Sequence, residues 1–279
     1  DLFHKIIDFK KSTNNVGIIA CKMIDGQGIF LPESKRNLPH TSMVIKKFFG
    51  LKNNYYSNKQ SEDAIGQVDV LCGAIMFMDK QVFEETGGFD EKYFMFGEDI
   101  DLSYKILKKG LKNYYYGDTS IIHYKGESTS KNSKYYKNFY GAMGIYYRKY
   151  IAKNIFSKIL SFLTLELIIF FKSFMITSKL RSRIKPKDCF LISDNDYAGL
   201  KNRVTIKIDS IQKLSDKLEN CEIIFDSNYL TFKNIISTMQ KLSKKKGIIF
   251  KIIPKASNFL IGSYNSREHG EVILFDLNK

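Results

Sequence analysis

The stretch 93-YFMFGEDIDLSYKI-106 places three acids, Glu98, Asp99 and Asp101, close together directly after an aromatic run. Apolar residues follow at helical spacing and Gly110 stops the pattern, which predicts a helix that begins near Glu98. Acids in a first helical turn interact favourably with the helix dipole, which is the commonest reason to find them there. Because acids this close also repel one another, a functional site is the alternative. The residue types alone leave both interpretations open.

The composition is that of a basic globular protein. The chain has 279 residues, 44% of them hydrophobic, which suffices for a sizeable core and two domains and excludes a disordered tail. The net charge of +15 indicates a phosphate-rich ligand, nucleic acid or an anionic membrane, unless it reflects the biased composition of an AT-rich genome. The cysteines are too far apart to indicate a zinc site or a disulfide scaffold. They are Cys21, Cys72, Cys189 and Cys221.

The first half of the chain alternates strand and loop signals. The run VGIIA at 16–20 predicts a short buried strand, and residues 34–66 are typical of a long surface excursion. Residues 67–79 predict a strand pair or a bent strand with Gly73 at the bend. A short helix is expected within 80–90, ended by two glycines.

The segment 155–176 is the most apolar in the chain. Lys158, Glu166 and Lys172 interrupt it, so its uncharged runs are far shorter than the ~20 residues of a membrane span. A polar stripe beside a wide apolar face predicts an amphipathic helix. We favour a position in the membrane interface, with packing inside the protein or against a partner as the alternative. The basic stretch 179–187 could then contact anionic lipid.

The last third of the chain has a different pattern. Short β-rich runs and helical stretches at about 209–220 and 229–245 predict a small α/β unit with a parallel sheet. The sequence DNDYAGLKN after its first strand lacks the GxGxxG pattern that cradles a dinucleotide phosphate. We therefore favour an interaction or regulatory module over a second active site.

An ordered series of motifs across 68–129 closely resembles the second half of the catalytic domain of family 2 glycosyltransferases. Within that family it resembles the bacterial rhamnosyltransferase-like enzymes of surface-polysaccharide assembly, over roughly residues 1–180. The matching motifs are DGQGIFLPESKR at 25–36, GA at 73–74, GGFDE at 87–91, FMFGEDIDL at 94–102, KKG at 108–110 and IIHYKGEST at 121–129.

The resemblance, together with the amphipathic pattern at 155–176 and the strand–helix pattern of the last third, predicts an α/β architecture in three parts. Residues 1–150 would be the C-terminal, acceptor-side part of a GT-A glycosyltransferase domain, and 151–187 an amphipathic membrane-associating helix with a basic linker. Residues 188–279 would be a small Rossmann-like accessory domain. The implied activity is inverting, metal-dependent transfer from a nucleoside-diphosphate sugar to a lipid-linked or polysaccharide acceptor. The net charge and the helix at 155–176 fit a location at the cytoplasmic, inner face of the plasma membrane, and we expect no nucleic acid partner.

The resemblance also implies roles for individual residues. The Asp of the family's acidic pair acts as the base, here Asp99, and Glu98 would position the acceptor or hold Asp99. A Mg²⁺ or Mn²⁺ ion would bridge the diphosphate. The other implied site residues are the acceptor-binding Asp69, Gly73, Ala74 and Asp90, the metal ligand His123 and the diphosphate-binding Lys125.

The chain departs from the family pattern in one respect, because no DxD-like metal motif stands in a suitable place. In the family the motif precedes a helix that corresponds here to DLFHKIIDFKK at 1–11. We therefore expect the motif to lie upstream of Asp1. We also expect this chain to be the C-terminal part of a longer protein and to lack that protein's donor-binding half.

Two other functions stay open at this stage. One is a non-catalytic membrane-surface scaffold of a polysaccharide assembly complex. The other is nucleic-acid binding through the basic, tyrosine-containing loop at 46–60, whose composition suits single strands. The loop lacks an accompanying nucleic-acid-binding signature, so we rank that function last.

Overall fold

The computed structural model describes residues 2–40, 43, 53–124, 133–174, 186–215, 217–264 and 270–276. The chain divides into two compact units. The first comprises Asp1–Lys22, Leu31–Thr119 and Lys131–Ser178, and the second comprises Met23–Phe30, Ser120–Ser130 and Lys179–Lys279. Strands and helices are combined along the chain in two sheets, which confirms the predicted α/β class.

The first sheet has three strands in the order β1-β3-β2. They are β1 (Val16–Ile24), β2 (Ile65–Gln67) and β3 (Lys112–Ile122). β2 runs antiparallel to β3, with Ile65 opposite Tyr116. Successive residues of β1 are buried, so both of its faces are covered, as the apolar run VGIIA predicts.

Helix α1 (Leu2–Ser12) packs on this sheet with its apolar side. The ring of Phe9 meets the rings of Tyr114 and Tyr116 edge-on, each at 5.3 Å between centroids. The buried cluster beneath the helix comprises Ile6, Ile19, Tyr114 and Tyr116. Burial of this apolar side stabilises the helix that the sequence predicts.

The bent strand predicted around Gly73 forms two separately paired pieces. The chain turns there, so the predicted bend is confirmed. Before the turn Val70 pairs with Arg36, and after it Phe77 pairs with Ile19. Because the two pieces pair with different stretches of the chain, they do not join into one continuous strand.

Helices α2 (Lys80–Glu85) and α3 (Glu98–Lys108) form where the sequence predicts them. Beyond the end of α3, Gly110 has a φ of 80°, a left-handed conformation that glycine adopts at low cost. Helix α3 lies tightly on β1, since a Cβ atom at Gly17 would be 2.1 Å from a side-chain methyl carbon of Ile106. The glycine thereby fixes the depth at which the acid-rich helix sits on the sheet.

Helices α4 (Ser133–Tyr150) and α5 (Ile155–Phe174) pack against each other. The approach is close at Gly144, where a Cβ atom would be 2.7 Å from Leu165 Cδ1. The face of α5 opposite Leu165 carries a row of exposed apolar side chains, called here the α5 stripe. The stripe comprises Ile155, Phe156, Ile159, Leu163, Leu167 and Phe170. None of the helices in the described part of the chain has the length and apolar character needed to cross a bilayer.

The second unit contains a six-stranded sheet in the order β5-β4-β6-β7-β8-β9. The strands are β4 (Asp188–Ile192), β5 (Ile206–Ile208), β6 (Cys221–Asp226), β7 (Ile249–Ile253), β8 (Phe259–Gly262) and β9 (Glu271–Leu274). The first four strands of that order are parallel, as predicted. The last two extend the sheet antiparallel to β7, which the sequence pattern did not indicate.

One predicted helix of this unit is confirmed and one is wrong. Helix α6 (Phe232–Leu242) begins after Thr231, whose side chain accepts a hydrogen bond from the main chain of Asn234. The helix expected at about 209–220 is only a short 3₁₀ turn at Ile211–Lys213, after which Leu214 is extended again. Its apolar residues belong to a connection that packs on the sheet, so their spacing did not require a helix.

The loop DGQGIF also belongs to the second unit. Gln27 Nε2 donates to the carbonyl oxygen of Ser263 at 2.5 Å. Gly28 has a φ of 76°, and a Cβ atom there would be 2.4 Å from the carbonyl oxygen of Met239 in α6. Glycine is therefore required at position 28 both for its backbone conformation and for the close approach of the helix.

Candidate active site

Asp99 lies in the first turn of α3 with its carboxylate anchored at one oxygen. Oδ2 accepts a hydrogen bond from Arg36 Nη2 at 2.6 Å and one from the main-chain N–H of Gly73 at 3.1 Å. Among the described residues, none donates a hydrogen bond to Oδ1. The side chain is only 11% exposed, so its orientation is fixed by these two donors. Oδ1 is thus the oxygen that is available to a ligand.

Arg36 is a site residue that sequence reasoning missed. Its Nη2 also donates to the carbonyl oxygen of Leu71 at 2.8 Å, and Nη1 donates to Tyr55 Oη at 3.2 Å. Burial disfavours the charged guanidinium, but the charge and hydrogen bond of Asp99, together with Tyr55 and Cys72, outweigh this and raise the pKa of Arg36 above its ordinary value. Arg36 is the last residue of the motif 25–36, so the sequence did mark its position. What the sequence could not show is that Arg36 pairs with Asp99.

Glu98 has a different environment from that of its neighbour. Its Oε2 atom is buried and accepts no hydrogen bond from the described residues. Burial raises the pKa of Glu98, and the negative charge of Asp99 raises it further, whereas Arg36 opposes the shift. A half-buried carboxyl group of this kind can bind a substrate hydroxyl group, either as donor or as acceptor.

The two residues before the helix hold an uncommon backbone conformation. Phe96 has a φ of 66° and Gly97 a φ of 83°, so both are left-handed. For a bulky residue such as Phe96 this conformation costs of order 1–3 kcal/mol, and such strain clusters at functional sites. The ring of Phe96 packs edge-on against Tyr135 and Phe139, at 5.2 and 5.7 Å between centroids. These ring contacts hold the strained junction from which the acid pair emerges.

Asp101 is the centre of a separate, structural network. It is fully buried, and its Oδ1 accepts hydrogen bonds from Lys149 Nζ and Tyr150 Oη, both at 2.7 Å. Lys149 also lies 2.6 Å from Asp90 Oδ2, and this hydrogen bond lowers the pKa of Asp90. The structure therefore brings the predicted acceptor residue Asp90 together with Asp101 and α4. Among the described residues, the side chain of Asp90 forms no hydrogen bond with Asp99.

The other predicted acceptor residues lie along the chain that faces Asp99. Gly73 touches Asp99 directly, through its N–H group and through a backbone close enough that a Cβ atom would be 3.4 Å from that of Asp99. Ala74 follows it and is exposed. Asp69 is linked to the site through the main chain. Its Oδ2 accepts a hydrogen bond from the main chain of Leu38 at 3.1 Å. That contact holds the stretch that follows Arg36.

The residues predicted to bind metal and diphosphate are not assembled into a site by the described residues. The main chain of His123 donates to the carbonyl oxygen of Ile24 at 2.8 Å, within the second unit. Lys125 lies outside the described residues. Within the described ranges, no three or more His, Cys, Asp or Glu side chains gather in a group that could hold a metal ion. The imidazole of His123 would therefore supply only one ligand.

Comparison with known proteins gives one family and two kinds of relative. Residues 51–139 match the family described as "Glycosyltransferase like family 2", which confirms the family predicted for this segment. An N-acetylglucosaminyl-diphospho-decaprenol L-rhamnosyltransferase, present in two strains of Mycobacterium tuberculosis, is 32% identical over 77 residues. The rhamnosyltransferase WbbL of Escherichia coli is 33% identical over 91 residues. No solved structure matches the chain.

Each match covers only part of this chain and only part of the relative. The match to the mycobacterial enzyme covers 28% of this chain and 25% of that protein. The match to the Escherichia coli enzyme covers 33% of this chain and 34% of that protein. The chain thus spans between a quarter and about a third of the length of these relatives, and the segment that matches the family contains Asp99, Glu98 and Gly73.

Proposed function

We propose, from the premise that residues 51–139 form a glycosyltransferase domain of family 2, that this chain is part of an enzyme that transfers a sugar with inversion. The donor is a nucleoside-diphosphate sugar, and the names of the relatives favour rhamnose as the sugar. The acceptor is a lipid-linked saccharide or a polysaccharide. The single observation that carries the proposal is the Asp99 carboxylate, anchored at Oδ2 and available at Oδ1.

The arrangement around Asp99 suits a general base. An acceptor hydroxyl group would hydrogen-bond to Oδ1 and lose its proton to that oxygen as it attacks the anomeric carbon of the donor. The bond from that carbon to the diphosphate breaks, and its electron pair leaves with the diphosphate. Arg36 compensates the charge of Asp99 and fixes the plane of the carboxylate. Glu98, whose pKa is raised, would hold a second hydroxyl group of the acceptor.

We further propose that the departing diphosphate is stabilised by a divalent cation, Mg²⁺ or Mn²⁺. Hard oxygen ligands with one imidazole suit Mn²⁺, and His123 would supply that imidazole. Lys125 would add positive charge at the diphosphate. The described residues alone do not complete a ligand set, so the other ligands would have to come from elsewhere in the protein.

The basic test of this proposal is sugar transfer by the full-length protein. With a nucleoside-diphosphate rhamnose and an N-acetylglucosaminyl-diphospho-polyprenol, we expect a new lipid-linked disaccharide, detected by mass spectrometry. A panel of other nucleoside-diphosphate sugars serves as the comparison for donor choice. Absence of transfer from every donor in the panel would favour the non-catalytic scaffold and would overturn the enzymatic proposal.

We also propose that α5 lies in the interface of the inner leaflet of the plasma membrane. The α5 stripe exposes large apolar side chains, while the opposite face of the helix packs on α4. The net charge of +15 and the basic sequence at 179–187 complement anionic lipid headgroups. A helix with such an apolar face and cationic surroundings is suited to lie in the interface rather than to span the bilayer.

Disruption of the α5 stripe is expected to weaken membrane binding. The double variant Leu163→Glu/Leu167→Glu should bind vesicles of phosphatidylglycerol and phosphatidylcholine at least about tenfold more weakly, because two leucines no longer enter the apolar layer. Co-sedimentation at two salt concentrations measures this. The matched control is Phe232→Glu/Val272→Glu, which changes two exposed apolar side chains outside the stripe. Equal binding by wild type and the stripe variant would exclude this role of α5.

A further inference from the structure

A cavity of about 50 Å³ lies beside the start of α3, within the first unit. Its walls come from α3, from α4 and from the stretch around Tyr55. The main lining residues are Tyr55, Phe96, Ile100, Phe139, Met143 and Tyr147. None of the described residues that line it carries a charge. The cavity therefore offers aromatic and aliphatic surface, with room for a short apolar segment of a ligand.

The cavity shares its walls with the acid pair. Gly97 and Ile100, which line it, flank Glu98 and Asp99 in the sequence of α3. Tyr55 also lines it, and the hydroxyl group of Tyr55 accepts the hydrogen bond from Arg36 that helps to hold Asp99 in place. A ligand in the cavity would thus lie next to the proposed base without contacting Asp99 Oδ2, which is already occupied.

The chemistry of the lining selects among possible occupants. A sugar ring has several hydroxyl groups, and each one buried without a partner costs about 1–3 kcal/mol, so a sugar needs more polar partners than the described lining residues provide. An apolar chain needs none. Met143 is half-buried, and its unbranched side chain can change conformation to fill irregular gaps. It can therefore pack against a flexible ligand that carries methyl branches. The lining therefore favours an aliphatic ligand over a saccharide.

Helix α4 connects the cavity to the helix that carries the proposed membrane surface. Helix α4 contributes Phe139, Met143 and Tyr147 to its wall, and the same helix packs on α5, which carries the α5 stripe.

We infer that the cavity binds the isoprenoid segment next to the diphosphate of a lipid-linked acceptor, an inference that rests on the proposed function. The apolar segment would orient the acceptor so that its sugar lies at Asp99 and Glu98. The cavity would then select acceptors by their lipid, because a polar or very short aglycone would leave apolar surface uncovered.

A direct binding test uses the absence of tryptophan from the sequence. A single tryptophan introduced as Phe139→Trp reports on the cavity, and Phe89→Trp places the same reporter at an exposed site that does not line it. Farnesyl diphosphate is the probe, and inorganic diphosphate is the control for its headgroup. We expect a saturable blue shift of emission for Phe139→Trp with farnesyl diphosphate only, and no shift for Phe89→Trp. If Phe139→Trp does not fold, Ile151→Trp at the same cavity replaces it.

A kinetic test in the full-length protein separates this inference from the proposed function. Acceptors that carry the same sugar diphosphate on a farnesyl or an ethyl group are compared. In Met143→Gln, the ratio of kcat/KM for the farnesyl acceptor over the ethyl acceptor should fall about tenfold, because a polar amide replaces an apolar contact. Transfer with an unchanged ratio and no shift of the cavity tryptophan would overturn the inference. Absence of transfer to either acceptor, with the tryptophan shift retained, would count against the proposed reaction and not against lipid binding.

Discussion

Asp99→Asn is expected to lower kcat/KM for sugar transfer by the full-length protein about a thousandfold, within the range that removal of a general base produces. The amide keeps the size of the carboxylate but cannot accept the proton of the acceptor hydroxyl group. Initial rates of transfer, with the donor and acceptor used for wild type, measure this loss. Near-normal turnover by the variant would show that Asp99 is not the base.

The same substitution has a structural consequence that must be separated from catalysis. Arg36 and Asp99 form a buried ion pair at 2.6 Å, and removing one charge leaves the other uncompensated, at a cost of about 3–5 kcal/mol. The double variant Asp99→Asn/Arg36→Met removes both charges and should recover much of that stability. We expect it to remain inactive. Asp118→Asn, which alters an exposed ion pair with Lys5, should retain both activity and stability.

Asp101→Ala is expected to lower the free energy of unfolding by about 3–5 kcal/mol, because it removes the fully buried carboxylate on which the partly buried side chains of Lys105, Lys149 and Tyr150 converge. The carboxylate is fully buried and lies 3.1 Å from Lys105 Nζ, in addition to its bonds to Lys149 and Tyr150. Urea denaturation followed by circular dichroism measures the change.

The control for Asp101→Ala is another acid-to-alanine change on a helix of the first unit. Glu84→Ala removes one member of an exposed pair with Lys80 and should cost no more than about 0.5 kcal/mol. A loss of stability for Asp101→Ala no larger than that of the control would mean that the network does not hold α3 to α4. The two acids of one helical turn thus have separate tests, activity for Asp99 and stability for Asp101.

The sequence alone predicted the features that depend on neighbouring residues. The start of α3 at Glu98, its end before Gly110, the buried strand β1 and the four parallel strands of the second unit were all predicted correctly. Helical and strand periods, turn residues and caps act over a few positions, so they can be read directly from the chain. The motif series also predicted the family of residues 51–139.

Other predictions failed because tertiary pairing outweighed local pattern. The apolar spacing at 209–220 fits a helix, yet these residues form a connection whose apolar side chains pack on a sheet. Around Gly73 the predicted bend is present, but only the tertiary structure shows that the pieces on its two sides pair with different stretches of the chain. Nothing local to β8 and β9 distinguishes strands that add antiparallel to an edge from strands that continue a parallel sheet.

By itself, the sequence determined that Glu98, Asp99 and Asp101 open a helix within a family 2 segment, because helix signals and motif order are properties of the chain. Only the tertiary structure decided which groups each acid contacts. Arg36 is 63 positions from Asp99 and anchors one of its oxygens, while Lys149, 48 positions from Asp101, holds that acid in a buried network. Charge partners this distant are chosen by the packing of strands and helices and not by spacing in the chain. The tertiary structure is therefore what separates the anchored carboxylate of Asp99, which we propose as the base, from the fully buried carboxylate of Asp101.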